Sequence, residues 1–120
     1  MKIKQLSILG ACYLALLCSS AFGASITCKQ GFVWREATPA DHTCVTVEER
    51  DTANVQNRNA QANRNPKGGA YGNDTCKQGF VWRETSKNDH VCVTSSERDE
   101  AKTQNEQHCE RAATKCKSKK

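Results

Sequence analysis

Ten residues of this chain, Thr27-Cys28-Lys29-Gln30-Gly31-Phe32-Val33-Trp34-Arg35-Glu36, occur a second time at Thr75 to Glu84. The displacement is 48 positions (75 − 27), and it persists beyond the identical block. Asp41-His42 returns as Asp89-His90, Cys44-Val45-Thr46 as Cys92-Val93-Thr94, and Glu49-Arg50-Asp51 as Glu97-Arg98-Asp99. A fixed period with its cysteines in register describes one structural unit made twice. Each unit spans about 40 residues, a size at which a hydrophobic core rarely suffices without staples.

The first residues set the compartment. Lys2 and Lys4 precede an apolar run from Ile8 through Leu17, followed by the small residues Ser19-Ser20-Ala21 and Gly23-Ala24. This order predicts a secretory signal peptide over residues 1–23, cut after Gly23 so that Ala21 and Gly23 fill the two positions that must be small. The apolar run is short of the roughly 20 residues a bilayer span needs, so no transmembrane segment is expected. A lipoprotein-like box, Leu9-Gly10-Ala11-Cys12, falls before the apolar run ends and ranks below simple secretion.

Processing changes the arithmetic. Of eight cysteines, Cys12 and Cys18 leave with the signal, and an even six remain. The formal charge drops from +5 to +3 with the loss of Lys2 and Lys4. Lys115, Lys117, Lys119 and Lys120 carry that excess, so the positive charge is a tail rather than a groove. Four lysines without interleaved aromatics make no case for specific nucleic-acid binding.

Along each unit, Phe32-Val33-Trp34-Arg35 reads as a strand and Thr38-Pro39-Ala40-Asp41 as a turn, with Ser86-Lys87-Asn88-Asp89 its second copy. His42 to Thr46 reads as the return strand of a β-hairpin. Thr46 with Glu49, and Thr94 with Glu97, form capping boxes that predict helices starting at Val47 and Ser95. The first helix should stop before Asn65-Pro66. Val47, Val55 and Ala62 give it a thin apolar line. Pro66 and Gly68, Gly69 and Gly72 mark a linker. The expected organisation is a signal peptide (1–23), a first repeat module (24–66), a linker (67–74), a second module (75–108) and a basic tail containing two cysteines (109–120). The fold class is small, disulfide-rich α+β, with two tandem β-hairpin-plus-helix modules joined by a glycine-rich linker.

Six cysteines allow fifteen pairings. Self-contained units make Cys28–Cys44 and Cys76–Cys92 the economical choice, each closing a loop of about 15 residues for about 3 kcal/mol. Metal binding would want short spacings such as Cys-x-x-Cys, which these pairs lack, so no metal or cofactor is expected. Cys109 and Cys116 lie seven apart in a stretch with no Gly or Pro. On a continuous helix their Cα atoms would stand roughly 10 Å apart, beyond the roughly 7 Å a disulfide tolerates. Either the helix ends near Cys109 and the chain folds back to close the bond, or the two cysteines bridge two chains. A fold-back monomer is favoured, with a disulfide-linked dimer as the alternative.

Cys-x-x-Gly-Phe-Val-Trp-Arg-Glu followed by Asp-His-x-Cys-Val-Thr resembles a tandem repeat of small exported bacterial proteins of unknown function, in which an Asn-Pro-x-Gly-Gly linker recurs. The resemblance covers Cys28 to Pro66 and Cys76 to about Asn105, and it implies export and modularity. Cys109, Cys116 and the lysine tail fall outside it.

Trp34 and Trp82 are read first as the largest core residues of their units, and second as rings that stack on a ligand. Arg35-Glu36 is read as a surface pair and Asp41 as a turn cap. Trp34, Arg35, Trp82 and Arg83 are the candidate ligand contacts. No nucleophile elbow, zinc-protease helix or phosphate loop occurs, so no catalytic residue is assigned. The reading is an exported, non-catalytic binding or interaction protein, secreted or periplasmic, whose partner is a protein or a cell-envelope polymer. A secreted effector, toxin-like or inhibitory, is the alternative.

Overall fold

The computed structural model describes residues 26–117. The expected signal peptide and the last lysines of the tail lie outside them. Over the described residues the chain is a small disulfide-rich α+β protein with two short antiparallel hairpins and two principal helices. Strand β1 (Val33–Trp34) pairs with β2 (Cys44–Val45), Val33 facing Val45 and Trp34 facing Cys44. Strand β3 (Val81–Trp82) pairs with β4 (Cys92–Val93) in the same register. Each hairpin closes on the predicted turn, the Asp41 N–H donating to the Thr38 carbonyl at 3.0 Å and the Asp89 N–H to that of Ser86 at 3.1 Å.

Helix α1 (Val47–Asn59) and helix α2 (Ser95–Arg111) begin where the capping boxes place them. Thr46 Oγ1 accepts from the Glu49 N–H at 3.1 Å while Glu49 Oε1 accepts from the Thr46 N–H at 2.9 Å. Thr94 and Glu97 repeat the exchange at 3.2 and 2.8 Å.

Among the described residues the disulfides are Cys28–Cys44, Cys76–Cys92 and Cys109–Cys116. Helix α2 ends at Arg111, and Ala112 turns to extended backbone. That break brings the Cα atoms of Cys109 and Cys116 to 5.7 Å, so the fold-back closes the bond within one chain.

Hydrogen bonds run between the repeats, not only within them. The segment after α2 pairs with the first repeat: Ala112 bridges Cys28, Ala113 N–H donates to the Thr27 carbonyl at 2.6 Å, and Lys29 N–H to that of Arg111 at 2.8 Å. The segment after α1 does the same for the second repeat. Arg64 bridges Cys76, Asn65 N–H donates to the Thr75 carbonyl at 2.8 Å, and Lys77 N–H to that of Asn63 at 2.9 Å. Adding 48 to every residue of the second set's α1 partners, and subtracting 48 from their hairpin partners, reproduces the first set. The two repeats thus exchange their helix ends with two-fold equivalence. This differs from two self-contained modules, because neither hairpin is completed by its own helix.

The core is polar where apolar residues were expected. Val47 and Val55 are 40 and 43% exposed, and Trp34 and Trp82 are only half-buried. Helix α1 instead turns Ala53 and Gln56 inward, and α2 turns Ala101, Gln104, Asn105 and His108. The largest wholly buried side chains are Arg35 and Arg83, each 1% exposed. The alanines let the helices come close enough for these guanidinium groups to reach helix carbonyls.

Each arginine is held in a closed set of acceptors. Arg35 Nε and Nη2 bond the Asp41 carboxylate at 2.7 and 3.2 Å. Nη2 also reaches Thr43 Oγ1 and Asn105 Oδ1, and Nη1 reaches Gln104 Oε1 and the Ala101 carbonyl. Arg83 repeats the bidentate grip on Asp89 at 2.7 and 3.1 Å, and reaches Gln56 Oε1 with the Ala53 and Ala37 carbonyls. The acceptors on Arg35 beyond its own hairpin all belong to α2, and two of the three on Arg83 belong to α1. A buried charge is tolerated only when paired and fully hydrogen-bonded, and a guanidinium fork facing a carboxylate meets that condition.

The repeats solve one detail differently. In the first, Thr43 Oγ1 donates to Asp41 Oδ1 at 2.6 Å. The equivalent position in the second is Val91, and the hydroxyl comes instead from Thr85, which donates to Asp89 Oδ2 at 2.6 Å. Burial alone would raise the Asp41 carboxyl; the hydrogen bond and charge of Arg35, with Thr43 and the Ala37 N–H, outweigh it and hold it at about 2. Asp89 is likewise lowered, burial being outweighed by Arg83 and Thr85.

Candidate binding clefts

The aspartates also shape the backbone beside them. The Ala37 N–H donates to Asp41 Oδ2 at 3.0 Å, and the Thr85 N–H to Asp89 Oδ2 at 3.0 Å. Turning that N–H toward the carboxylate sends the preceding residue into the left-handed region, where Glu36 has φ 54° and Glu84 φ 57°. An L-residue there costs roughly 1–2 kcal/mol, and glycine would relieve most of it. Glutamate nevertheless stands at both positions, exposed. Among the described residues neither carboxylate has a hydrogen bond or an ion pair.

Both glutamates line surface clefts, one per repeat. The first cleft, about 410 Å³, is lined by Phe32, Val33, Trp34, Glu36 and Arg50, with Thr27 and Cys28 at one end. The second, about 280 Å³, is lined by Phe80, Val81, Trp82, Glu84 and Arg98, with Thr75 and Cys76 at the same end. Every position the two clefts share carries the same residue; the difference is Ile26 in the first and Tyr71 in the second. Exposed helix positions away from these clefts have meanwhile diverged: Val47, Asn54 and Val55 correspond to Ser95, Lys102 and Thr103.

The tryptophans are fixed from two sides. Trp34 Nε1 donates to the Ile26 carbonyl at 2.9 Å and Trp82 Nε1 to that of Asp74 at 2.8 Å. His42 stacks on Trp34 with ring centroids 3.9 Å apart, and His90 on Trp82 at 3.8 Å. In the second repeat Asp74 Oδ2 holds His90 Nδ1 at 2.9 Å, and Tyr71 tilts against Trp82 at 5.2 Å. The indoles therefore enter the clefts in a set orientation, at little further entropic cost to a ligand.

Of the four side chains expected to contact a ligand, Trp34 and Trp82 line the clefts. Arg35 and Arg83 do not: their donors are committed to protein acceptors, which also removes Arg35 from the surface pairing with Glu36. Asp41 is more than a turn cap, since it is the counter-ion of a buried arginine. Phe32 reads from the sequence only as a strand residue and Glu36 only as the surface partner of Arg35, and neither they nor Arg50 stand among the expected ligand contacts. The signal for them was present, because each lies in a stretch that the second repeat returns unchanged.

A smaller cavity of about 110 Å³ lies between α1 and α2, with Glu48, Glu49, Glu97 and Glu100 among its lining residues and the Gln56 and Gln104 amides beside Arg35 and Arg83. Glu49 is lowered: burial raises it, and the Thr46 N–H and the Arg111 guanidinium at 2.7 Å outweigh that. Among the described residues no three His, Cys, Asp or Glu side chains converge as metal ligands, and no helix is long and apolar enough to cross a membrane. Comparison with protein families, curated proteins and solved structures returns no match for the chain.

Proposed function

We propose that this is an exported, non-catalytic binding protein that presents one kind of cleft twice. The observation that carries the reading is the coincidence of the two clefts, position for position, on a scaffold whose outer helix faces have diverged. Two linked copies of a weak site gain avidity of roughly a hundredfold or more when a partner engages both. Three disulfides fit an oxidising, extracytoplasmic setting. The clefts are open and shallow, which suits an extended partner better than an enclosed small substrate.

The test is capture from cell-envelope and culture-fluid extracts on the immobilised, oxidised full-length mature protein. Glu36→Lys and Glu84→Lys keep a non-glycine residue at each strained position while reversing the charge in the cleft. Each single variant should retain the partner weakly and the double variant not at all. Equal capture by the parent and the double variant would refute the clefts as the binding sites.

A further inference from the structure

We infer that each cleft is a subsite for a neutral pyranose ring, so that the partner is a neutral saccharide chain; this rests on the binding reading above. The floor of each cleft is aromatic and aliphatic: Phe32, Val33 and Trp34 in the first repeat, Phe80, Val81 and Trp82 in the second. Its edge carries one carboxylate and one guanidinium, Glu36 with Arg50 and Glu84 with Arg98. The charges within each lining are opposite, one carboxylate to one guanidinium, so the lining itself has no net charge; Arg50 also lies 3.8 Å from Asp51. Together the carboxylate and the guanidinium supply acceptors only on one side and donors only on the other. A pyranose ring matches that set, with a C–H face for the aromatic floor and hydroxyls that donate to the carboxylate and accept from the guanidinium.

The glutamate is the more telling half of the pair. Its backbone sits in the left-handed region in both repeats, where glycine would be relaxed. Its carboxylate has no hydrogen-bond or ion-pair partner among the described residues, so none of their contacts explains the side chain. Strain kept at an exposed residue that lines a cleft, and kept twice, marks a group retained for what it binds. The stacked and hydrogen-bonded indole beside it is a preset platform. Glu36 and Glu84 are accordingly assigned as hydroxyl acceptors, Arg50 and Arg98 as donors, and Trp34 and Trp82 as ring platforms.

The experiment titrates the oxidised mature protein with neutral hexasaccharides of glucose, mannose and N-acetylglucosamine, following the Trp34 and Trp82 indole N–H resonances. At least one hexasaccharide should shift both resonances saturably. Glu36→Gln with Glu84→Gln should weaken that binding about tenfold, the loss expected for a charge-assisted hydrogen bond. Glu36→Gly with Glu84→Gly should abolish it while the protein melts no earlier than the parent, a combination that a structural role for the glutamates would reverse. Silence of both indoles toward every hexasaccharide, with extract capture still dependent on Glu36 and Glu84, would overturn the saccharide assignment and leave the binding reading standing. Indifference of both titration and capture to the glutamates would overturn the two together.

Discussion

Arg35→Met removes the group on which the exchange between repeats depends. The guanidinium reaches acceptors 66, 69 and 70 residues further along the chain, at Ala101, Gln104 and Asn105. Methionine has a similar apolar stem and no donors. It takes the Arg35 guanidinium away from the Asp41 carboxylate, 6% exposed, and from the oxygens of Gln104 and Asn105. Breaking one half of a buried ion pair costs about 3–5 kcal/mol, roughly a fifth or more of the about 5–15 kcal/mol a domain has in total. At about 4–8 °C per kcal/mol the melting temperature should fall by at least about 12 °C. Arg35→Lys keeps the charge but lacks the planar fork that bridges Asp41 and Asn105, so it should fall between methionine and the parent. Thermal and urea unfolding of the oxidised proteins gives the energies. Amide spectra locate the change, which should appear at Ala101, Gln104 and Asn105 as well as in the first hairpin. A loss below about 1 kcal/mol, or shifts confined to residues 30–46, would refute the buried guanidinium as the link between repeats.

Three more outcomes follow from the same contacts. The Asp41 carboxyl, held at about 2 instead of 3.8, contributes about 2 kcal/mol that is complete above pH 3.8, declines below it and is gone once the pH passes about 2. Acid unfolding monitored by circular dichroism should therefore begin only below that window's upper edge, and a midpoint near pH 5 would contradict it. Residues 24–66 expressed alone under oxidising conditions should not give a native monomer, because their hairpin lacks α2; they should associate as two-fold dimers by light scattering, and a folded monomer with native shifts would contradict the exchange. Cys109→Ser with Cys116→Ser should speed hydrogen exchange at the Lys29 and Ala113 amides and leave Lys77 and Asn65 unchanged; uniform acceleration would show that the third disulfide supports the whole fold instead of one edge.

Local structure was legible from local signals. The capping boxes gave both helix starts to the residue, and the turn residues gave both hairpins, because a Thr and a Glu three positions apart determine their own hydrogen bonds. The reach of a disulfide against the rise of a helix left a fold-back or a bridge between two chains, and the helix break after Arg111 closes the bond within one chain. The core was not legible in the same way. Arg35 next to Glu36 looks like a surface pair, and nothing local says that an aspartate six residues on and an asparagine seventy residues on will enclose it. Val47 and Val55 looked like the inward face of α1, yet the arginine requires small and polar neighbours there, so Ala53 and Gln56 take that side and the valines face solvent. The clefts were half legible: Trp34 and Trp82 stood out by type, whereas Glu36 and Glu84 are distinctive only through a backbone conformation that the letters do not display.

The pairing of Ala113 with Thr27 and of Asn65 with Thr75 also carries a topological consequence. These are equivalent junctions of a closed loop, and the chain happens to be continuous across only one of them. Residues 66–74 carry it from Asn65 to Thr75, so that edge is fastened by covalent backbone on both sides. At the other junction Thr27 lies against Thr114 as well as Ala113, and no stretch of described backbone links the two sides directly. The Cys109–Cys116 bond sits at that junction and has no counterpart in the first repeat. It acts as the clasp of an opened necklace, restoring with sulfur the fastening that connectivity supplies elsewhere. Joining residue 117 to residue 26 through a short spacer and opening the chain at Gly69 would move the opening to the other junction, and with it the need for a clasp.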